Sequence, residues 1–262
     1  MLPDFTIITH KFPERHDIVI YPIADVHLGA AEHNAEAWGA FCRKIEQEEN
    51  AYVILAGDLI NNSLRNSIGR GVYEDFMRPH EQKKLIVKML TPLKDKILCS
   101  VRGNHEYRSA KDVDDDPSYD IMAKMDLEHL YRENMAFLRL QFGDQDSDGL
   151  RNPTYILAVT HGSGGGVQTG SMVNKGEKTA YFYENIDALI FGHSHKPFIT
   201  QPAKISVDAR NNKVSLKPFK VISCTSWMNY GGYAMQKMMP PVSIAPQTMK
   251  LYGKEKKLEV TM

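Results

Sequence analysis

Five short apolar runs, each broken off by polar residues, limit what this chain can fold into. Residues 18–23 (IVIYPI), 52–56 (YVILA), 97–101 (ILCSV), 155–160 (YILAVT) and 188–191 (ALIF) are apolar almost throughout. Each reads as a strand, and 52–56, apolar throughout, as one covered on both faces. Amphipathic stretches alternate with them. Over 35–49, Trp38, Phe41, Cys42 and Ile45 recur at helical spacing. Over 80–90, Leu85, Ile86, Met89 and Leu90 turn inward and Pro92 follows the end; over 119–132, Ile121, Met122 and Met125 do the same. A further strand is expected at 136–142, and 198–223 alternates like an antiparallel meander. Strands alternating with helices predict an α/β architecture.

No repeat or low-complexity linker divides the chain. Residues 112–116 form an acidic loop and 144–152 (DQDSDGLRN) the best loop candidate, so residues 1–262 are expected to form a single domain. The segment 227–262 begins with a run rich in Met, Tyr and Trp over 227–239. It is a candidate cap or homo-oligomer contact, with packing against a sheet edge as the plainer reading.

With 262 residues and a formal net charge of zero, the chain can bury a large core and carries no global field toward nucleic acid or an anionic membrane. Cys42, Cys99 and Cys224 lie far apart and form no CxxC pair, which suits free thiols in a reducing compartment. The start of the chain lacks a continuous apolar segment, and no run approaches the roughly 18 residues that a membrane helix needs. The expected location is cytoplasmic, with no membrane partner.

What ends each apolar run is more informative than the run itself. The five terminate in Asp25 and His27, in Gly57-Asp58, in Gly103-Asn104-His105-Glu106, in His161, and in Gly192-His193-Ser194-His195. Half of the ten histidines stand at these ends. Each piece alone reads as a turn, an N-cap or a loop histidine. Together they share a place, because sites in open α/β sheets form just beyond the carboxyl ends of strands.

Asp25-x-His27, Gly57-Asp58, Gly103-Asn104-His105-Glu106, His161 and Gly192-His193-x-His195 resemble the five-block signature of calcineurin-like metallophosphoesterases. The resemblance spans about two thirds of the chain, in the family's order. It implies a four-layer α-β-β-α sandwich of two mixed sheets, the metallophosphoesterase fold. It also implies two divalent metal ions, one held by Asp25, His27, Asp58 and His195, the other by Asn104, His161 and His193, with Asp58 bridging. Oxygen donors mixed with imidazoles suit Mn²⁺ first, with Fe, Zn²⁺ or Ni²⁺ as alternatives. Two cations about 3.5–4 Å apart can share a hydroxide and clamp a phosphoester for in-line attack. His105 is then the histidine that is not a ligand, placed to stabilise the transition state or protonate the leaving oxygen. Glu106 is the carboxylate expected to orient it.

Arg102 and Arg108 are candidates for substrate phosphate, and Asn61 for a hydrogen bond to substrate. His33 reads as a surface residue. The loop Gly162-Ser163-Gly164-Gly165-Gly166 is not a GxxxxGK[ST] phosphate cradle and is expected to give the backbone room beside the metals.

Three substrate readings follow. The His193-x-His195 pair resembles the phosphodiesterase and nuclease branches, which favours a nucleotide or nucleic-acid phosphodiester as substrate. Arg102-Gly103-Asn104-His105-Glu106 matches the RGNHE block of the phosphoprotein phosphatases, a phosphomonoesterase alternative, but the Asp-Arg those enzymes carry after Gly-Asp is absent from Gly57-Asp58-Leu59-Ile60-Asn61-Asn62. The third is a binding module that keeps the fold without catalysis. Lys204, Arg210, Lys213, Lys217 and Lys220 crowd the meander and 250–257 is basic, which reads first as a solvated face.

Overall fold

A computed structural model describes residues 3–65, 67, 71–143, 152–166 and 168–262. The loop expected at 144–152 lies, but for Asn152, outside them.

The strands are β1 (Ile7–Phe12), β2 (Ile18–Ile23), β3 (Ala51–Leu55), β4 (Ile97–Val101), β5 (Tyr131–Arg132), β6 (Met135–Phe142) and β7 (Thr154–Thr160). Then follow β8 (Ala188–Phe191), β9 (Phe198–Thr200), β10 (Ala203–Asp208), β11 (Lys213–Pro218), β12 (Lys220–Ser223), β13 (Thr248–Leu251) and β14 (Leu258–Thr261). The helices are α1 (Ala35–Gln47), a single turn α2 (Gly71–Glu74), α3 (Pro79–Leu90), α4 (Asn104–Val113), α5 (Pro117–Ala123), α6 (Thr169–Ala180) and a short α7 (Gly232–Gln236). No helix among the described residues is long and apolar enough to cross a membrane.

Two six-stranded mixed sheets form the frame. Sheet one runs β14-β13-β2-β3-β4-β5 and sheet two β1-β6-β7-β8-β12-β9. In sheet one β2 to β5 are parallel, β13 is antiparallel to β2, and β14 is antiparallel to β13 at the edge. In sheet two β7, β8 and β12 are parallel. The carboxyl ends of β2, β3 and β4 therefore share one edge of their sheet, and those of β7 and β8 share one edge of theirs.

Alternation along each strand fills both faces. Leu157, Val159, Ala188 and Ile190 of sheet two join Ile20, Val53 and Leu55 of sheet one in the main core, together with Trp38, Ile45, Ile86 and Leu90 from α1 and α3. The intervening Ala158, Leu189 and Phe191 pack against Met172 and Ala180 of α6. The layers are thus helices, sheet, sheet and helix, the expected α-β-β-α sandwich.

Three sequence expectations need correction. The helix expected at 119–132 stops at Ala123; Asp126 adopts a left-handed φ of 60°, and the chain turns into β5. The meander of 198–223 is divided: β12 pairs with β8 and β9 in sheet two, while β10 and β11 form a separate two-stranded hairpin. His33 is buried, not on the surface, and its ring Nδ1 donates to Val26 O at 2.8 Å.

Candidate metal centre

The loops that follow β2 and β3 extend the strand ladder past the sheet. Asp25 N donates to Gly57 O at 3.1 Å, His27 N to Asp58 O at 3.0 Å and Leu28 N to Leu59 O at 3.1 Å. Sheet two locks on from the other side: His161 Nδ1 donates to Ala56 O at 2.8 Å and His193 N to Asp25 Oδ1 at 3.1 Å. The first turn of α4 closes the ring, with His105 N donating to Asp58 Oδ1 at 2.8 Å. A helix N-terminus is a good place for that carboxylate, since its free N–H groups and dipole both favour an anion.

These loops are strained. Asp25, His27, Asp58, His193 and His195 have φ of 53°, 47°, 53°, 67° and 54°. A residue with a Cβ pays on the order of 1–2 kcal/mol in this left-handed region. Five of the seven proposed ligands share it because the chain must turn their side chains back over the sheet edges.

Two donor sets result. Around the first, His27 Nε2 lies 3.8 Å from Asp25 Oδ1, 3.7 Å from Asp58 Oδ2 and 3.0 Å from His195 Nε2, and His195 Nε2 lies 3.5 Å from Asp25 Oδ1. Around the second, Asp58 Oδ2 lies 3.2 Å from His161 Nε2, and Asn104 Oδ1 lies 3.0 Å from His161 Nε2 and 2.5 Å from His193 Nδ1. Asp58 Oδ2 belongs to both. The structure brings all seven candidates together.

The chemistry of the cluster fits cations. Two imidazole nitrogens meet head-on at His27 and His195, and Asp25 Oδ2 is buried with no hydrogen-bond partner among the described residues. Burial, with the nearby Asp58 charge, pushes the Asp25 carboxyl well above the usual carboxylate range. Burial acts the same way on Asp58, but the facing His161 and His105 overcome it and hold that carboxyl well below the range. Burial likewise opposes protonation of His161, yet Asp58 beside it raises the imidazole to about 10. A buried Asp pair that draws a proton onto a neighbouring imidazole is a site built for positive charge.

The remaining candidates divide. His105 Nδ1 donates to Asn61 O at 2.7 Å, and Arg108 donates from one guanidinium nitrogen to His105 Nε2 at 2.9 Å. Burial, reinforced by the Arg108 charge, lowers His105 to about 4 against the pull of Asp58. Glu106 does not orient His105. Its Oε2 accepts the Asp58 and Gly103 N–H groups, each at 3.1 Å, and its Oε1 accepts Ile60 N–H at 3.1 Å. It sits three residues into the helix cap, facing the backbone rather than the imidazole beside it in sequence.

Arg102 also departs from expectation. It bonds Asp116 at 2.8 Å and Glu133 at 3.4 Å and stacks on Tyr107, so its guanidinium is already paired. Asn61 takes part through its backbone carbonyl, while its side chain donates to Asp75 at 2.7 Å and Ser63 at 3.0 Å.

Sequence reasoning missed Asn62 and Gln82. Asn62, at φ 43°, donates to His105 O at 2.8 Å and Ser109 Oγ at 2.7 Å, and its own N–H donates to Gln82 Oε1 at 2.9 Å. Gln82 carried a signal: it lies one and two helical turns before Ile86 and Leu90, a polar residue on an apolar face. The glycine loop after His161 has its Ser163 and Gly166 carbonyls bonded by Lys175 and Lys196. Trp227 is buried against Trp38 and Phe41, and its backbone N–H donates to Asp25 O at 3.0 Å, so the start of the C-terminal segment belongs to the body beside the site.

The family described as calcineurin-like phosphoesterase matches residues 18–197. No curated protein matches the chain. Among solved structures, a metallophosphoesterase from Sphaerobacter thermophilus is 15% identical, covering 94% of this chain and 89% of that one at a TM-score of 0.39. A putative 5′-nucleotidase from Staphylococcus aureus is 13% identical, covering 94% and 53% at 0.44. Vps29 from Chaetomium thermophilum is 10% identical, covering 93% and 96% at 0.38.

Proposed function

We propose that this chain, which belongs to the calcineurin-like phosphoesterase family, hydrolyses phosphodiesters of nucleotides or nucleic acid with two divalent ions. Asp25, His27, Asp58 and His195 would hold one ion and Asp58, Asn104, His161 and His193 the other. When bound, such ions polarise the phosphoryl oxygens and supply an acidified water as nucleophile.

The observation that carries a diester over a monoester is the separation of the two arginines. Arg102 is committed to Asp116 and Glu133, which leaves Arg108 as the guanidinium beside His105. A phosphomonoester is largely a dianion at neutral pH, its second pKa being about 6, whereas a diester carries a single charge. One guanidinium next to a neutral imidazole suits the smaller charge. The RGNHE match to phosphatases loses its force here, because its Arg is held by Asp116 and Glu133. The His195 side chain is 39% exposed, so the donors are reached from that side.

The chain's own residues divide the remaining work. Asn61 O fixes the His105 proton on Nδ1, so Nε2 is the basic atom and accepts from Arg108. A substrate phosphate that draws Arg108 to itself frees Nε2, which, once protonated from solvent, would donate to the leaving ester oxygen. Asn62 and Gln82 hold the His105 backbone in place during that exchange.

With Mn²⁺, the purified protein is expected to turn over bis-p-nitrophenyl phosphate faster than p-nitrophenyl phosphate, and Asp58→Asn or His161→Ala to abolish both activities. Full activity in Asp58→Asn or after EDTA treatment would sink the two-ion reading; preference for the monoester would sink the diester reading. A panel of single-stranded and duplex DNA run across salt concentrations separates polymer from nucleotide substrates, since phosphate contacts give a steep salt dependence.

A further inference from the structure

The hairpin β10–β11 is built inside out. Its register sets Ile205 opposite Leu216 and Val207 opposite Val214, so these four share one face with Ala203 and Pro218. The alternate positions, Lys204, Ser206, Asp208, Lys213, Ser215 and Lys217, share the other. The polar face meets the body at its base, while Asp208, Lys213 and Lys217 are exposed. Lys204 Nζ donates to Tyr181 O at 3.3 Å and to Tyr183 O, lies 5.6 Å over the Phe219 ring, and Ser206 and Ser215 are half-buried. The aliphatic face points out: Ile205, Val207, Val214 and Leu216 are 72%, 71%, 66% and 70% exposed. A ribbon with one covered face normally buries its apolar side. This one also pairs with neither large sheet, and a lone two-stranded hairpin is marginal in water.

We propose that this face joins two copies of the chain, ribbon on ribbon about a two-fold axis. Each of the four side chains leaves on the order of 100 Å² uncovered, so a pair of ribbons removes at most about 800 Å² from water, the size of a weak contact that dissociates on dilution. The face carries no charge and no unpaired polar side chain, so it is complementary to its own copy, as a two-fold contact requires. Two flat aliphatic faces of this kind interdigitate like the inner faces of a β-sandwich. The formal net charge of zero leaves no long-range repulsion between copies. An anionic membrane or acidic partner would need cations beside the aliphatic residues. Here the lysines lie on the opposite face, and Lys204 is tied to the body.

Sedimentation of the full chain across the micromolar range tests this. Wild type is expected to be a dimer that dissociates on dilution. Leu216→Glu and Val207→Glu, both at exposed positions, should weaken the dimer about 100-fold or more, since each change occurs twice across the axis. Their far-UV circular dichroism and turnover of bis-p-nitrophenyl phosphate should match wild type, and their melting temperatures should equal that of wild type diluted to monomer. The three native cysteines are buried, so Leu216→Cys adds an accessible thiol, and a short bismaleimide should cross-link it between copies. A wild type that stays monomeric, or charge variants that stay dimeric, overturns the proposal. A monomeric wild type that binds phosphatidylserine vesicles would assign the face to a membrane surface instead.

Discussion

Glu106 accepts three backbone N–H groups from two different loops, and none of its contacts reaches the imidazole beside it. It therefore acts on chemistry through Asp58, whose backbone it fixes, and is a positioning residue. Glu106→Gln would keep the shape but turn one acceptor into a donor that faces an N–H group. The expected cost is about 1–3 kcal/mol of stability, read as a lower melting temperature. Metal affinity should fall about 10–100-fold by calorimetry, as it does when outer-sphere partners are lost. A carboxylate that merely tuned His105 would change the pH profile and leave both readouts alone. The sequence showed Glu106 to be part of the site but not what it touches, because adjacency along a chain says nothing of direction on a helix. Arg102 is the same case: it is separated from Asn104 by one residue and is bonded to Asp116 and Glu133 instead.

At the scale of elements, the strand ends were legible and the helix that begins at one of them was not. Runs β2, β3, β4, β7 and β8 are apolar because both faces are covered, and each stops where its backbone must turn toward the donors. Helix α4 is invisible to periodicity because its buried positions are Glu106 and Ser109. Its start is fixed by close approach instead: a Cβ on Gly103 would lie 2.1 Å from Asp58 N. Helix α6 escaped notice for a related reason, since Gly176 weakens its helical pattern while a Cβ there would lie 2.8 Å from Phe191. The turn after β2 hides a structural histidine. Burial lowers His33, whose Nδ1 proton is bonded to Val26 O. A histidine depressed in the folded state contributes stability above its unfolded pKa of about 6.5 and loses it as pH falls through the folded value. Denaturant stability of wild type should therefore decline from neutral pH toward pH 5, and His33→Gln should make that decline shallower. An unchanged slope in the variant would show that His33 stays neutral without cost.

Across the whole molecule, the sequence announced which residues meet but not which sheet carries each. Asp25, Asp58 and Asn104 follow strands of sheet one, while His161, His193 and His195 follow strands of sheet two. Nothing in the pattern of a doubly covered strand records its partner, and β1, half-exposed, pairs with β6 more than a hundred residues away. The division has a thermodynamic consequence. Each donor set draws on both sheets, so an ion held there ties the sheets together at the edge where their loops are most strained. A ligand that binds only the folded chain stabilises it by about 2.7 kcal/mol at a hundredfold excess over its dissociation constant. For a chain of this size that is a rise of roughly 5–10 °C in melting temperature. Mn²⁺ should produce that shift in wild type, EDTA should reverse it, and Asp58→Asn, which removes the carboxylate common to both sets, should abolish most of it. A variant in which Mn²⁺ still gives the full shift would mean that the ion binds elsewhere, because Asp58 Oδ2 lies within reach of both donor sets.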